Sequence, residues 1–218
     1  MDLEALRLMV YRVFATTGHA PTFAQLQEQF MDSDEIRAGL RELAQRKLLV
    51  LGAEDQILMA HPFSSVPLGF SVMGENMLWW GGCAWDSFAL PHMLEVESPM
   101  LVSTRCPNCS QPHSWNVGRL VPPTGSQVAN FLVPVSRQWE DILHACNNQR
   151  IFCSADCVAA WLAVNELPRG YVLSLETLWL LASHWYDGRL DYGYERRGAA
   201  EAADYFRGVG LDGPFWGL

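Results

Sequence analysis

Two pairs of cysteines constrain the fold of this chain more than any other feature. Cys106-Pro107-Asn108-Cys109 has the C-x-x-C spacing of a turn, whereas Cys153 and Cys157 fall in the first turn of a predicted helix. A β-turn knuckle joined to a pair at a helix start is the treble-clef arrangement, in which four thiolates close a tetrahedral zinc site. We therefore predict a structural Zn(II) site formed by Cys106, Cys109, Cys153 and Cys157. Two other interpretations are open: four reduced thiols that never meet, or a redox C-x-x-C pair.

The composition limits which classes of partner the protein can bind and indicates in which cellular compartment it works. Half of the 218 residues are hydrophobic and 18% are charged, which is enough apolar surface for a packed core. A net charge of −9 argues against a general binder of nucleic acid or of anionic membranes. The first residues lack the pattern of a secretory signal, and no apolar run reaches the roughly 18 residues that span a membrane. We expect a cytoplasmic location, where thiols stay reduced.

The N-terminal part has the pattern of a winged helix. Apolar residues recur at helical spacing over 3–15, Thr22 and Ser33 can cap two further helices, and a hairpin-like pattern occupies 48–60. We predict a winged-helix domain over residues 1–61 and an α+β core over 62–218. DNA binding is disfavoured, because acidic residues crowd the start of the third helix, where phosphates would lie.

The core reads as a mixed or antiparallel sheet with helices. The strands are predicted at 66–73, 76–80, 99–105, 113–120 and 127–135, and the helices at 84–94, 139–146, 154–164, 174–185 and near 199–206. The tail after residue 188 has no clear period and is not otherwise interpretable. Cys146 has no partner by spacing and reads as an ordinary thiol.

Cys83 and Asp86 form a second group of residues that could take part in catalysis. Cys83 follows a strand and two glycines and precedes a predicted helix, a position that favours a thiolate. Asp86 shares its helix face and sits among aromatic residues, so burial would help it hold a proton. Trp80 and Trp85 flank the thiol and could shape a substrate slot. The alternative is a small buried cysteine beside a capping aspartate.

The ordered set of these segments resembles the organomercurial (alkylmercury) lyases. It comprises the winged helix, then Pro62-Phe63-Ser64, Phe70-Ser71-Val72, Cys83-Ala84-Trp85-Asp86, Cys106, Phe131-Leu132-Val133-Pro134 and Phe152-Cys153 followed by a helix. The resemblance implies an enzyme that cleaves carbon–mercury bonds, with Cys83, Cys153 and Asp86 as catalytic residues. It also implies an organomercurial substrate, Hg(II) bound to Cys83 and Cys153 as product, free thiols or a mercuric reductase as acceptor, and no organic cofactor.

Cys153 thereby belongs to both groups of residues, and zinc would withhold it from catalysis. Three explanations are open. Zinc is absent, or mercury displaces it. Alternatively, the chain is a zinc-binding member of the fold that does not cleave carbon–mercury bonds and acts in metal binding or on another substrate through Cys83 and Asp86. A metal-responsive transcription factor is a third, less favoured hypothesis.

Overall fold

The structure is a computed structural model that describes residues 1–218, and it begins with three helices and a short hairpin. The bounds are Leu3–Thr17 (α1), Phe23–Phe30 (α2), Ser33–Gln45 (α3), Val50–Leu51 (β1) and Ile57–Ala60 (β2). Thr22 and Gln25 form a reciprocal capping box at α2, as the sequence indicates. The cap of α3 is Asp32 rather than Ser33, because the Asp32 carboxylate accepts from the first free backbone N–H groups.

A seven-stranded antiparallel sheet forms the main layer. Its remaining strands are Phe63–Ser64 (β3), Phe70–Met73 (β4), Leu78–Gly81 (β5), Met100–Arg105 (β6) and Pro112–Val117 (β7). The strand order is β1-β2-β3-β5-β4-β6-β7. Met59 of β2 pairs with Ser64 of β3, so the sheet continues across residue 61 and joins the N-terminal hairpin to the core.

A second sheet and five further helices complete the fold. The strands are Val128–Phe131 (β8), Gln149–Phe152 (β9) and Tyr171–Ser174 (β10), in the order β10-β8-β9. The helices are Ala84–Met93 (α4), Ile142–Asn147 (α5), Ala155–Val164 (α6), Leu175–Ser183 (α7) and Ala199–Gly208 (α8). The α+β class with antiparallel sheets is confirmed. Strands β9 and β10 were not predicted, and α5 begins three residues later than expected.

Helix α4 lies at the centre of the molecule. Nine of its ten residues are buried, and it packs against α7 and against strands β4, β5 and β6. One hydrophobic core of 40 buried residues extends from α1 to the C-terminal Trp216. Because α4 begins at the end of β5, its first turn is held inside this core, where water is largely excluded. No helix of the chain is long and apolar enough to cross a membrane.

The N-terminal helix holds the C-terminal tail in place. The Arg7 guanidinium donates to the backbone carbonyl of Arg189 at 2.7 Å and to that of Asp191 at 2.6 Å. Glu4 pairs with Arg7 and also accepts from the Gly193 backbone N–H at 2.7 Å. The tail segment that follows α7 therefore has a defined path across the face of α1.

Candidate active site

Cys83 and Asp86 lie together at the start of α4, as the sequence predicts. Cys83 is the N-cap residue, and its sulfur accepts from the Asp86 backbone N–H at 3.4 Å. Both residues are buried, with 2% and 1% of their surface exposed. The preceding Gly82 is required here, since a Cβ at that position would lie 2.4 Å from Asp86 Oδ2. The glycine allows the strand end to approach the carboxyl closely.

The second thiol at this site is Cys146, on α5. Cys83 and Cys146 line the same pocket, and burial together with the nearby Cys146 raises the pKa of Cys83. Cys146 is buried, and its sulfur lies 3.5 Å from His61 Nε2. The ligand atoms of His61, Asp86 and Cys146 all lie within 4.8 Å of one another. His61, Asp86 and Cys146 therefore form one compact polar group, and Cys83 lies beside it at the start of α4.

Cys153 does not join this group. Its sulfur lies 3.4 Å from Cys109 Sγ and 3.4 Å from His113 Nε2, and the pocket that contains Cys83 and Asp86 is lined by Cys146 instead. The structure therefore does not bring Cys153 to Cys83, and the cysteine that shares the pocket with Cys83 is Cys146. The reason is that Cys153 follows β9 and faces the C-x-x-C turn, whereas Cys146 precedes that strand.

The two tryptophans beside Cys83 have different surroundings. Trp85 lines the pocket and packs on Trp185, with ring centroids 4.9 Å apart. Trp80 alternates with the buried Trp79 along β5 and lines a separate surface groove with Phe70 and Ser71. Successive side chains of a strand point to opposite faces, so Trp80 lies on the face opposite Trp79, and it does not line the pocket that contains the thiols.

Asp86 has the electrostatics of a proton carrier. Burial raises its pKa from 3.8 to about 7, although hydrogen bonds from Tyr186 and Cys83 and the charge of Arg189 oppose the shift. The Tyr186 hydroxyl donates to Asp86 Oδ1 at 2.5 Å, and Oδ2 is buried with no hydrogen-bond partner within the protein. One oxygen is therefore held while the other is available to exchange a proton beside the thiols.

Both thiols are protonated at rest, in positively charged surroundings. Burial, then Cys146 and Asp86, raise the pKa of Cys83 well above its ordinary value. The hydrogen bond from Cys83 lowers the pKa of Cys146, but burial and Asp86 outweigh it. Arg189 is buried in the same pocket and makes no ion pair with an acid. Burial, with Arg189 and Arg196, lowers the pKa of His61 to about 3, so its imidazole is neutral.

The four remaining cysteines form a separate cluster. The sulfur atoms of Cys106, Cys109, Cys153 and Cys157 all lie within 4.8 Å of one another, as the two-pair spacing predicts. Burial alone would raise the pKa of Cys106, but backbone N–H groups, chiefly those of Cys109 and Cys153, lower it to about 7. Phe152 and Val158 pack beneath the cluster. Four sulfurs at this separation suit a tetrahedral thiophilic metal ion.

A buried thiol pair beside a carboxyl whose pKa is raised to about 7 suits the class of proteins that bind a soft metal through sulfur and transfer protons next to it. The comparisons make this more specific. A family model described as MerB, alkylmercury lyase, matches residues 63–187, which is more than half of the chain. The chain belongs to the alkylmercury lyase family, as its sequence motifs predict.

A solved structure supports the same fold. The crystal structure of the mercury-bound form of MerB2 aligns with a TM-score of 0.64 at 18% sequence identity, covering 87% of this chain and 99% of that chain. No curated protein sequence matches this chain. The structural likeness extends the shared fold beyond the residues that the family model matches.

The sequence analysis did not assign four residues of this pocket to the site, namely His61, Cys146, Tyr186 and Arg189. Of these, only Cys146 could have been predicted from the sequence. Once four of the six cysteines are assigned to the cluster, only Cys83 and Cys146 remain. That elimination would have identified Cys146. His61, Tyr186 and Arg189 had no local signal, because each meets Asp86 or Cys146 through a contact between distant parts of the chain.

Proposed function

We propose that this chain is an organomercurial lyase in which Cys83 and Cys146 are the two thiols and Asp86 is the proton carrier. The observation that supports this assignment is that two buried thiols line one pocket beside a carboxyl whose pKa is raised to about 7. Mercury prefers thiolate ligands to oxygen or nitrogen, and the reaction needs a group that can both accept and donate a proton near neutral pH.

In the first step, Cys83 displaces the carrier ligand X from R–Hg–X. The Cys83 S–H proton passes to the Asp86 carboxylate, the new S–Hg bond forms, and X leaves as the anion. Cys83 Sγ lies 3.4 Å from the Asp86 backbone nitrogen, which places the thiol beside the carboxyl that takes this proton. The Tyr186 hydroxyl remains bound to Oδ1, which leaves Oδ2 to take the proton.

In the second step, Cys146 becomes the second sulfur ligand and the carbon–mercury bond breaks. The electron pair of that bond stays on carbon, and Asp86 returns its proton to that carbon, so R–H leaves. The X anion displaced in the first step takes the Cys146 proton and leaves as HX. The balance is R–Hg–X plus two thiols giving R–H, HX and Hg(II) held by two thiolates. External thiols, or a mercuric reductase, would then remove Hg(II) from the pocket.

The four-cysteine cluster is assigned a structural role. Zn(II) bound by Cys106, Cys109, Cys153 and Cys157 in a treble clef would have no open coordination position. Because Cys146 supplies the second thiol, zinc at Cys153 and mercury chemistry at Cys83 do not compete. The non-lyase alternative rested on that competition and loses its basis. We also assign the winged helix over residues 1–61 to holding the tail over the pocket in a cytoplasmic enzyme.

Turnover with cysteine variants tests the assignment. Purified protein is incubated with phenylmercury and excess thiol, and benzene release is measured for the native chain and for Cys83→Ser, Cys146→Ser and Cys153→Ser. We expect the first two to lose activity by about a hundredfold or more, since a hydroxyl is a poor mercury ligand. Cys153→Ser should keep its activity per folded molecule. Activity that survives in Cys146→Ser but disappears in Cys153→Ser would overturn the assignment in favour of Cys153.

A further inference from the structure

The pocket around the thiols concentrates positive charge in a chain that is acidic overall. Four of the fifteen Lys and Arg residues line it, namely Lys47, Arg189, Arg196 and Arg197, and Asp86 is its single acidic residue. None of the four forms a salt bridge with a carboxylate. Because the chain as a whole has a net charge of −9, this local excess of cations is a specific property of the pocket.

Two of these cations are held by other groups, and two are not. Arg197 donates to the backbone carbonyls of Trp185 and His184, and Arg189 donates to the Tyr11 hydroxyl. Arg196 makes no hydrogen bond and lies 4.9 Å from the centroid of the Trp139 ring. The Lys47 ammonium lies 5.9 Å from the same ring. An arginine and a lysine therefore converge on one indole with their donors unused.

The indole adds a donor of its own. Trp139 Nε1 is buried and has no hydrogen-bond partner within the protein. Burial, together with the charge of Arg189, lowers the pKa of Arg196, so an anion beside Arg196 would relieve an unfavourable concentration of positive charge. Glu140, next to Trp139 in the sequence, is already paired with Arg137 and does not neutralise the group.

We propose that Arg196, Lys47 and Trp139 form a carboxylate-binding subsite in the outer part of the pocket, which takes a carboxylate carried by the mercury compound. A guanidinium, an ammonium and an indole N–H offer charge-assisted hydrogen bonds to carboxylate oxygens, and the aromatic wall suits an aryl ring. The carboxylate can belong to the organic group, as in 4-mercuribenzoate, or to the thiol that carries the organomercurial. The subsite rests on the proposed function, because mercury on Cys83 would present the substrate to it.

The test compares Michaelis constants in two arms. In the first arm, 4-mercuribenzoate is compared with phenylmercury, both with the neutral thiol 2-mercaptoethanol. In the second arm, phenylmercury is supplied with 3-mercaptopropionate or with 2-mercaptoethanol. We expect the carboxylate to lower KM about tenfold in at least one arm, as charge-assisted hydrogen bonds of this kind do. A preference in the first arm alone assigns the subsite to the organic group, and one in the second arm alone assigns it to the carrier thiol.

Variants decide whether these side chains cause the preference. Arg196→Gln combined with Lys47→Gln should bring the KM ratio close to one, whereas Arg196→Lys should retain part of it. Arg207→Gln removes an exposed arginine of the same tail and should keep the native ratio. A native enzyme with no preference in either arm, or a preference that survives the double substitution, would overturn the subsite.

Binding of benzoate separates this proposal from the lyase proposal. Saturation-transfer NMR detects benzoate on the full chain without any turnover. Benzoate binding that Arg196→Gln abolishes supports the subsite even if no hydrocarbon is released, in which case the lyase proposal alone fails. Turnover of phenylmercury with neither benzoate binding nor a carboxylate preference refutes the subsite alone.

Discussion

At Asp86, burial competes with every neighbour that favours the charged carboxylate. Tyr186, Cys83 and Arg189 all stabilise the ionised form, yet burial outweighs them and the pKa rises to about 7. A carboxyl with this value is divided between its two forms at neutral pH, which suits a group that must take a proton and give it back. The same burial lowers the free energy of unfolding at neutral pH, because the ionised carboxylate is held where water cannot reach it.

The pH dependence of turnover follows from this titration. Asp86 must be ionised to accept the Cys83 proton, so kcat/KM for phenylmercury should rise as pH increases through about 7 and then level off. Both thiols remain protonated in that range, because their pKa values lie above the ordinary one. Measuring kcat/KM for phenylmercury between pH 5.5 and 9 tests this dependence. A flat profile across pH 7 would exclude Asp86 as the group that takes the first proton.

The raised pKa of Asp86 also predicts how the substitution Asp86→Asn changes stability with pH. A carboxyl whose pKa is raised by folding destabilises the folded state progressively as pH rises from about 4 to about 7. An amide avoids that cost, so Asp86→Asn should be more stable than the native chain at pH 8, by up to about 4 kcal/mol, and equally stable near pH 4. Urea unfolding at both pH values checks this. Equal stability at pH 8 would contradict the burial argument.

At the scale of elements, α1 positions the tail that contributes Arg189 to the pocket. The Arg7 side chain is buried and joins two tail carbonyls to Glu4. Both α1 and the tail beyond residue 187 lie outside the segment that the family model matches. The pocket wall therefore depends on a contact between the two ends of the chain.

Breaking that contact should loosen the tail without touching the thiols. Arg7→Met leaves Glu4, the buried carbonyl of Arg189 and the part-buried carbonyl of Asp191 without their partner, at a cost on the order of 3 kcal/mol. We expect faster amide hydrogen exchange over residues 189–197 and a higher KM for phenylmercury. Arg12→Met, on the exposed face of the same helix, is the matched control. Unchanged exchange in Arg7→Met would show that the tail is held by other contacts.

Local pattern predicted the elements better than it predicted the site. Helices α1 to α4 and α6 follow from apolar spacing and capping residues, and β1 and β2 lie within the hairpin pattern predicted over 48–60. Strands β9 and β10 are four residues each and lie beside helices, so no alternation is long enough to show them. Cys146 shares a pocket with Cys83 because α5 and α4 both pack against β9, a long-range arrangement that spacing does not encode.

At the scale of the whole molecule, the two cysteine sets divide their tasks between the two sheets. Cys83 follows β5 of the large sheet, whereas the four-cysteine cluster ties the turn after β6 to the start of α6 behind β9 of the small sheet. A metal ion in the cluster would thus link the sheets whose junction brings Cys146 to Cys83. Removing the ion should therefore lower the stability of the folded state, and any loss of turnover should follow from that loss of stability.

Metal removal tests that link. We expect one zinc per chain, and a chelator should lower Tm on the order of 10 °C or more, because a structural zinc site contributes on the order of 10 kcal/mol to folding. Cys106→Ser should lose the zinc, whereas Cys83→Ser and Cys146→Ser should keep it and keep the native Tm. Because Cys106 is buried and Cys109 is exposed, the loss should be monitored by metal analysis rather than by thiol labelling alone. A metal-free chain with the same Tm and full turnover would show that packing of Phe152 and Val158 holds the cluster together without an ion.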